Sequence, residues 1–121
     1  MIGRVTLPWP GSKVMPNAIR SQNRFVSAEA IRKARRDAFL MSNAANLPVI
    51  PEDTSIIRLR VIHHLKDRRR DEDGMKGSLK PYFDGLADSL GVNDKVFRVD
   101  HEFTETASKP GKIVIEIVGV K

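Results

Sequence analysis

The sequence predicts a single α+β domain over residues 1–121, with a mixed sheet and two helices packed on it in the order β-α-β-α-β-β. Three observations predict this class. Apolar and polar residues alternate in four short stretches, as on the two faces of a strand. Two other stretches carry apolar residues at helical spacing. Hydrophobic residues make up 40% of the chain and charged residues 30%, a balance typical of globular proteins.

The first elements follow from local composition. The stretch from Gly3 to Trp9 alternates loosely and is closed by proline, which predicts a short strand. The following segment, 11–25, is rich in Gly, Pro, Ser and Asn and predicts a basic surface loop. Ser27 then has the character of a helix N-cap. The apolar face of that helix is predicted to consist of Ile31, Ala34, Ala38, Met41 and Ala45. Because most of these side chains are small, we expect the helix to pack closely against the sheet.

The second half of the chain continues with "SIIRLRVIHHL", whose alternation predicts a strand. A second helix is predicted over Leu79–Leu90, because four large apolar residues share a face and Gly91 follows as a stop. A start near Gly77 or Ser78 would place Pro81 in the first turn, where proline is tolerated. The last part alternates again over Val96–Phe103 and after "SKPGK", which predicts a terminal hairpin.

Charge and composition bound the function. The chain has 21 Lys plus Arg against 15 Asp plus Glu, a net charge of +6 and a pI near 10.0. This surplus suits a polyanionic partner such as nucleic acid, and it equally fits a basic protein without one. The absence of cysteine excludes disulfides, thiolate catalysis and Cys-based zinc sites. Without a signal-peptide pattern or a long apolar run, we expect a soluble cytoplasmic protein.

The segment Leu65–Leu86, "LKDRRRDEDGMKGSLKPYFDGL", has the most concentrated charge in the chain. If Asp71 and Asp73 continue an extended chain, both carboxylates point to the same side, because the strand period is two. A hard divalent cation such as Mg²⁺ would relieve their repulsion, and this arrangement supports phosphodiester hydrolysis. The alternative is that both are turn or cap residues, with Asp73 capping a helix that begins at Gly74.

Two further residues favour a site. Asp94 lies between the second helix and the next strand, where it would bring a third carboxylate to the same sheet edge; alternatively it belongs to a turn after Asn93. Lys80 is predicted in the first turn of the second helix, where a cation opposes the helix dipole unless an anion binds nearby. Its alternative role is an i, i+4 pair with Asp84, and both roles are compatible.

These residues carry a resemblance. The chain resembles the RusA family of Holliday-junction endodeoxyribonucleases over nearly its full length. The matching stretches are "VTLPWPGS" at 5–12, "FVSAEA" at 25–30, "DRRRDED" at 67–73, "LKPYFDGL" at 79–86 and "VND" at 92–94.

The resemblance implies a RusA-like, homodimeric nuclease of bacterial or phage origin that resolves four-way DNA junctions by paired symmetric nicks, in DNA recombination and repair. It implies Mg²⁺, with Mn²⁺ as a possible substitute, held by Asp71, Asp73 and Asp94. It implies an active-site lysine at Lys80. The implied DNA-binding residues are Arg68, Arg69, Arg70 and Lys76.

Three departures from the family pattern accompany the resemblance. Gly74 stands where the family commonly has Asn after the second aspartate. A compact form of the motif nominates Lys76 as the active-site lysine, whereas "LKPYFDGL" aligns without a gap and favours Lys80. The first loop lacks the Asn- and Tyr-rich pattern of the family, so the resemblance does not assign DNA contacts to Lys13 and Arg20.

Two non-enzymatic alternatives remain. A basic module, such as an inactive prophage remnant, would bind nucleic acid through Arg68–Arg70 and the first helix without catalysis. A structural subunit would use its basic surface to meet an acidic protein. The histidines favour none of these readings, because His63 and His64 lie on opposite faces of a strand and His101 is predicted to be packed.

Overall fold

The computed structural model describes residues 1–11, 24–68 and 71–121, with side chains of the first helix from Val26 onward. The predicted loop over 11–25 lies almost wholly outside the described residues, together with Lys13 and Arg20. In chain order the elements are β1 (Gly3–Pro8), α1 (Arg24–Ala44), β2 (Ile57–His64), α2 (Glu72–Gly77), α3 (Lys80–Leu90), a 3₁₀ turn (Asp94–Val96), β3 (Phe97–Phe103) and β4 (Lys112–Val120). The predicted α+β class is confirmed: a mixed sheet with two longer helices, α1 and α3.

The four strands of the sheet lie in the order β1-β4-β2-β3. Strand β4 pairs antiparallel with both β1 and β2, and β3 pairs parallel with β2. The predicted hairpin between the last two strands is therefore wrong, because β2 lies between them. The continuous buried run Ile113–Ile115 fits the interior position of β4. The parallel β2–β3 pair requires a crossover, which α2 and α3 supply.

Strand β2 shows how one face of the sheet forms the core. Ile57, Leu59 and Val61 are fully buried, whereas Arg58 and Arg60 are exposed on the opposite face. Arg60 binds Glu102 of β3 and Glu116 of β4, the latter with Nη1 to Oε1 at 2.9 Å. The predicted alternation is thus confirmed, and it places a charged, ion-paired surface on the side of the sheet opposite the buried face.

Helix α1 packs closely against α3 rather than only against the sheet. Ala38 is fully buried, and a Cβ at Gly85 of α3 would overlap the backbone of α1. Two sequence expectations for α1 are wrong. The helix begins at Arg24, so Ser27 lies within it, and Met41 is 41% exposed while Ser42 is buried. The helix starts earlier than predicted because the residues from Arg24 to Val26 are also helical.

The predicted second helix over Leu79–Leu90 is observed as α3, which begins at Lys80 rather than near Gly77 or Ser78, and the short helix α2 before it was not predicted as a separate element. The short α2 ends before Leu79, which is the N-cap position of α3. Pro81 lies in the first turn of α3, as predicted, and Gly91 ends the helix in the left-handed conformation at φ 69°. Tyr82 anchors α3 to the end of β1, because its hydroxyl donates to the carbonyl of Pro8 at 2.7 Å. Burial raises the pKa of Tyr82 to about 12.

No helix among the described residues combines the length and the apolar character needed to cross a bilayer.

A histidine pair lies near the ends of the parallel strands. His63 is fully buried, stacks on Phe103 and has Nε2 2.9 Å from Nδ1 of His101. Nδ1 of His63 is buried without a partner. If His63 carried its proton on that nitrogen, a buried donor would be unsatisfied. We therefore assign the proton to Nε2 of His63, which donates to His101. His101, which the sequence predicted to be packed, contacts His63 and Phe83.

The buried histidine predicts a loss of stability in acid. Burial, followed by the charges of His101 and Lys76, lowers the pKa of His63 from 6.5 to about 4. Between these values the unfolded chain binds the proton more readily than the folded one. The contribution of His63 is therefore constant above pH 6.5. It decreases as the pH falls to about 4, by up to about 3 kcal/mol.

Urea denaturation of wild type, His63→Phe and His64→Gln at several pH values measures this effect. His63→Phe should show a smaller loss of unfolding free energy between pH 6.5 and 4. His64, half-buried on the opposite face, is the matched control, and His64→Gln should retain the wild-type loss. Identical pH dependence in wild type and His63→Phe would show that His63 does not cause the loss of stability in acid.

Candidate active site in the charged segment

The aspartate pair does not continue strand β2. Asp71 is the N-cap of α2, and its Oδ1 accepts a hydrogen bond from the backbone N–H of Gly74 at 3.1 Å. Asp73 lies in the first turn of the same helix, exposed to solvent. The expected extended geometry is therefore wrong, because the side chain of Asp71 satisfies a free N–H at the start of the helix. The alternative in which an aspartate caps a helix is correct, but the cap is Asp71 rather than Asp73.

Gly74 and the cap depend on each other. A Cβ at position 74 would overlap Oδ2 of Asp71 and lie 2.9 Å from its Cγ. Any larger residue, including the Asn common in the resembled family, would displace the carboxylate from this position. The departure at Gly74 thus has a structural consequence: it allows Asp71 to fold back onto α2.

Lys80 is the centre of a second charged group. It lies at the start of α3, and its Nζ donates to Oδ1 of Asp84 at 2.8 Å and to Oδ2 of Asp94 at 2.6 Å. Its side chain is 64% exposed, so the ion pairs remain accessible to an incoming ligand. The hydrogen bonds to Asp84 and then Asp94 raise the pKa of Lys80, and the same lysine lowers the pKa of Asp94.

Asp94 reaches Lys80 through the turn after α3. Gly91 ends the helix, and the side chain of Asn93 accepts from the N–H of Lys95 at 2.9 Å, which starts the 3₁₀ turn at Asp94. The expected pair of Lys80 with Asp84 is confirmed. The contact between Lys80 and Asp94 joins residues that are 14 positions apart, and sequence reasoning placed both at the site without predicting the contact.

The remaining candidates are Lys76 and the three arginines. Lys76 is exposed at the end of α2, with its Nζ 6.0 Å from the ring centroid of Phe103. Arg68 is exposed, and Arg69 and Arg70 lie outside the described residues. Among the described residues, no group of three or more histidine, aspartate or glutamate side chains could hold a metal ion. The structure therefore does not gather Asp71, Asp73 and Asp94 into one cluster.

A neighbouring ion pair extends the charged surface onto α1. Arg35 binds Asp88 of α3 through two hydrogen bonds, Nε to Oδ2 at 2.7 Å and Nη2 to Oδ1 at 2.9 Å. The hydrogen bond to Asp88 raises the pKa of Arg35, and the charges of Asp84 and Asp94 contribute in the same direction. The sequence does not predict this contact, because it joins two helices.

The fold and this surface define a small α+β protein with an exposed lysine–carboxylate site. The chain is 34% identical to a protein of Xylella fastidiosa (strain Temecula1 / ATCC 700964) described as "Uncharacterized protein". The alignment spans 123 positions and covers 96% of this chain and 76% of the relative. The chain belongs to the same family as this Xylella protein. No family model matches the chain.

Proposed function

We propose that the protein is a Mg²⁺-dependent endodeoxyribonuclease that resolves four-way DNA junctions, as the resemblance to RusA nucleases implies. The observation that carries the proposal is the contact between Nζ of Lys80 and Oδ2 of Asp94 at 2.6 Å. The resemblance assigns these two residues to one active site, although they are distant in sequence. The contact supports that assignment, since a lysine beside a carboxylate suits the handling of a charged phosphodiester.

The donor atoms of these side chains suit a hard divalent cation, although the described residues do not gather the three carboxylates into one cluster. Mg²⁺ binds through one or two protein carboxylates and completes its coordination with water and phosphate oxygens. Asp71 and Asp73 offer exposed carboxylates, and Asp94 offers a third beside Lys80. When bound, Mg²⁺ polarises the phosphodiester and lowers the pKa of a coordinated water. Mn²⁺ has a similar preference for oxygen ligands and is expected to substitute.

The chain's own residues have separate tasks in this proposal. Arg68 and its neighbours Arg69 and Arg70, with Lys76, bind the DNA backbone and supply salt-dependent affinity. Lys80 stabilises the negative charge that develops on the phosphorus centre or the leaving oxygen. Because a four-way junction has approximate two-fold symmetry, a homodimer with two-fold symmetry would place two equivalent sites on like strands and make paired nicks. The proposed location is the cytoplasm, where such DNA is accessible.

A synthetic four-way junction tests the proposal. Wild-type protein should nick two opposing strands symmetrically in Mg²⁺ and leave ligatable duplexes, whereas EDTA should stop nicking but not binding. A linear duplex of the same sequence is the control substrate and should remain uncut. Tight binding to the junction without nicking in Mg²⁺ or Mn²⁺ would contradict the enzyme proposal.

Two observations favour a second candidate, a non-catalytic basic module that binds nucleic acid. Asp71 has a structural task as the cap of α2, and Asp94 is paired with Lys80. Under this proposal the carboxylates only complete turns and ion pairs, and Arg68 and α1 bind DNA or RNA. Binding without nicking in the junction experiment supports this candidate, and no binding to any nucleic acid at low salt excludes it.

A further inference from the structure

Asp84 occupies a special position beside Lys80. It lies one helical turn after the lysine on α3, and its side chain is only 23% exposed, whereas that of Lys80 is 64% exposed. We propose that Asp84 is a positioning residue that keeps the ammonium group of Lys80 next to Asp94, where it can meet the phosphate. The inference rests on the proposed function and goes beyond it, since Asp84 is neither a metal ligand nor a DNA contact in that proposal.

The hydrogen bonds of Lys80 leave one donor for a ligand. An ammonium group has three N–H donors and no acceptor. Asp84 and Asp94 each accept one of them, at 2.8 and 2.6 Å. The third N–H is then available to a phosphate oxygen without breaking either ion pair. Two fixed carboxylates therefore define where the ammonium group lies.

Asp84 and Asp94 are not equivalent partners. Asp94 belongs to the turn after α3 and is itself a candidate metal ligand, so a cation bound there competes with Lys80 for the carboxylate. Asp84 belongs to the same helix as Lys80, and the i, i+4 spacing holds the two side chains together. Asp84 is therefore the partner that remains when Asp94 binds a cation.

The position of Lys80 needs such support. A lysine in the first turn of a helix is repelled by the positive end of the helix dipole, and its long side chain has many rotamers. The neighbouring cation, Arg35, is paired with Asp88 one turn further along α3, so it does not draw Asp84 away from Lys80. The helix itself is held by the hydrogen bond from Tyr82 to the carbonyl of Pro8. Because α3 is anchored by Tyr82 and Asp84 is bonded to Lys80, the flexible side chain of Lys80 is held in place.

The test compares Asp84→Asn with Asp53→Asn, the same change at an exposed aspartate in the turn between α1 and β2. Asp84→Asn keeps the size of the side chain but removes its charge. We expect kcat for junction nicking to fall by roughly 10- to 100-fold, as for other residues that orient an active group. KM and the junction Kd should stay within about 3-fold, because Lys80 retains its charge. Asp53→Asn should nick at the wild-type rate, and Asp84→Glu should recover part of the lost kcat.

A second readout does not depend on activity. In the metal-free protein, NMR titration of the Lys80 side chain should show a lower pKa in Asp84→Asn than in wild type, whereas Asp53→Asn should leave that pKa near the wild-type value. Unchanged NMR behaviour of Lys80 in folded Asp84→Asn would overturn the positioning role. If the wild type nicks junctions and Asp84→Asn has the same kcat, the positioning role is also overturned.

The two readouts separate this inference from the proposed function. If wild type does not nick in any divalent ion, the proposed function is wrong and the positioning role in catalysis falls with it, whatever the NMR titration shows of the ion pair. If wild type nicks but Asp84→Asn is equally active, only the role of Asp84 is wrong. Circular dichroism checks folding, and Asp84→Ser, which also removes the charge, supplies the titration if Asp84→Asn is unfolded.

Discussion

Asp73→Asn is expected to abolish Mg²⁺-dependent nicking of a four-way junction while the protein stays folded and bound to DNA. The substitution removes a carboxylate charge from an exposed position in the first turn of α2. If Asp73 holds the metal, several kcal/mol of transition-state stabilisation are lost, which corresponds to roughly a 1,000-fold lower rate. Binding should be unchanged or tighter, because one negative charge no longer repels the phosphates.

Single-turnover nicking and gel-shift binding at fixed salt measure the two effects. Asp53→Asn is the matched control, since Asp53 is an exposed aspartate in the turn between α1 and β2. It should nick and bind as wild type does. A folded Asp73→Asn protein that nicks at the wild-type rate would exclude a metal-binding role. If Asp73→Asn lost both DNA binding and its folded structure, Asp73 would instead have a structural role.

Gly85→Ala is expected to lower the free energy of unfolding by about 2 kcal/mol. A Cβ at position 85 would overlap the carbonyl oxygen of Arg35 and lie 2.7 Å from Cβ of Ala38 and 2.9 Å from the backbone nitrogen of Phe39. Overpacking of this kind costs about 3 kcal/mol when backbone atoms must move, and it exceeds the gain of about 1 kcal/mol from replacing glycine within a helix. Helices α1 and α3 would have to separate.

Urea denaturation measures the loss as a lower midpoint at an unchanged m-value. Gly119→Ala is the control, because its nearest neighbours, Cβ and Cδ of Arg58, lie 4.0 Å from the added carbon. That variant should keep the wild-type midpoint. A wild-type midpoint in Gly85→Ala would show that α1 and α3 do not approach as closely as the structure indicates.

Sequence patterns predicted which segments form strands and helices better than they predicted which strands lie side by side. The alternation in β2, the location of β4 and the stop at Gly91 were predicted correctly, because each depends on residues close together in the chain. The hairpin prediction failed because alternation identifies a strand but not its partner. Only the tertiary structure inserts β2 between β3 and β4 and makes the β2–β3 pair parallel.

At the candidate site, too, the sequence predicted contacts within one helix but not contacts between elements. The i, i+4 pair of Lys80 with Asp84 could be predicted from the sequence, since helix geometry fixes it. The contact of Lys80 with Asp94 could not, because it depends on how the chain turns after Gly91. The geometry of Asp71 was misjudged because a side chain that accepts from a free helix N–H competes with an extended backbone.

The sequence by itself determined the α+β class, the alternating faces of the strands and the residues "DRRRDED" and "LKPYFDGL" that carry the resemblance. These depend on residue type and local period. The tertiary structure alone decided that Asp71 caps α2 beside Gly74, that Lys80 lies between Asp84 and Asp94, and that Arg35 pairs with Asp88. The physical reason is that charged side chains take the nearest available partner, and distance in space is set by packing rather than by position in the chain.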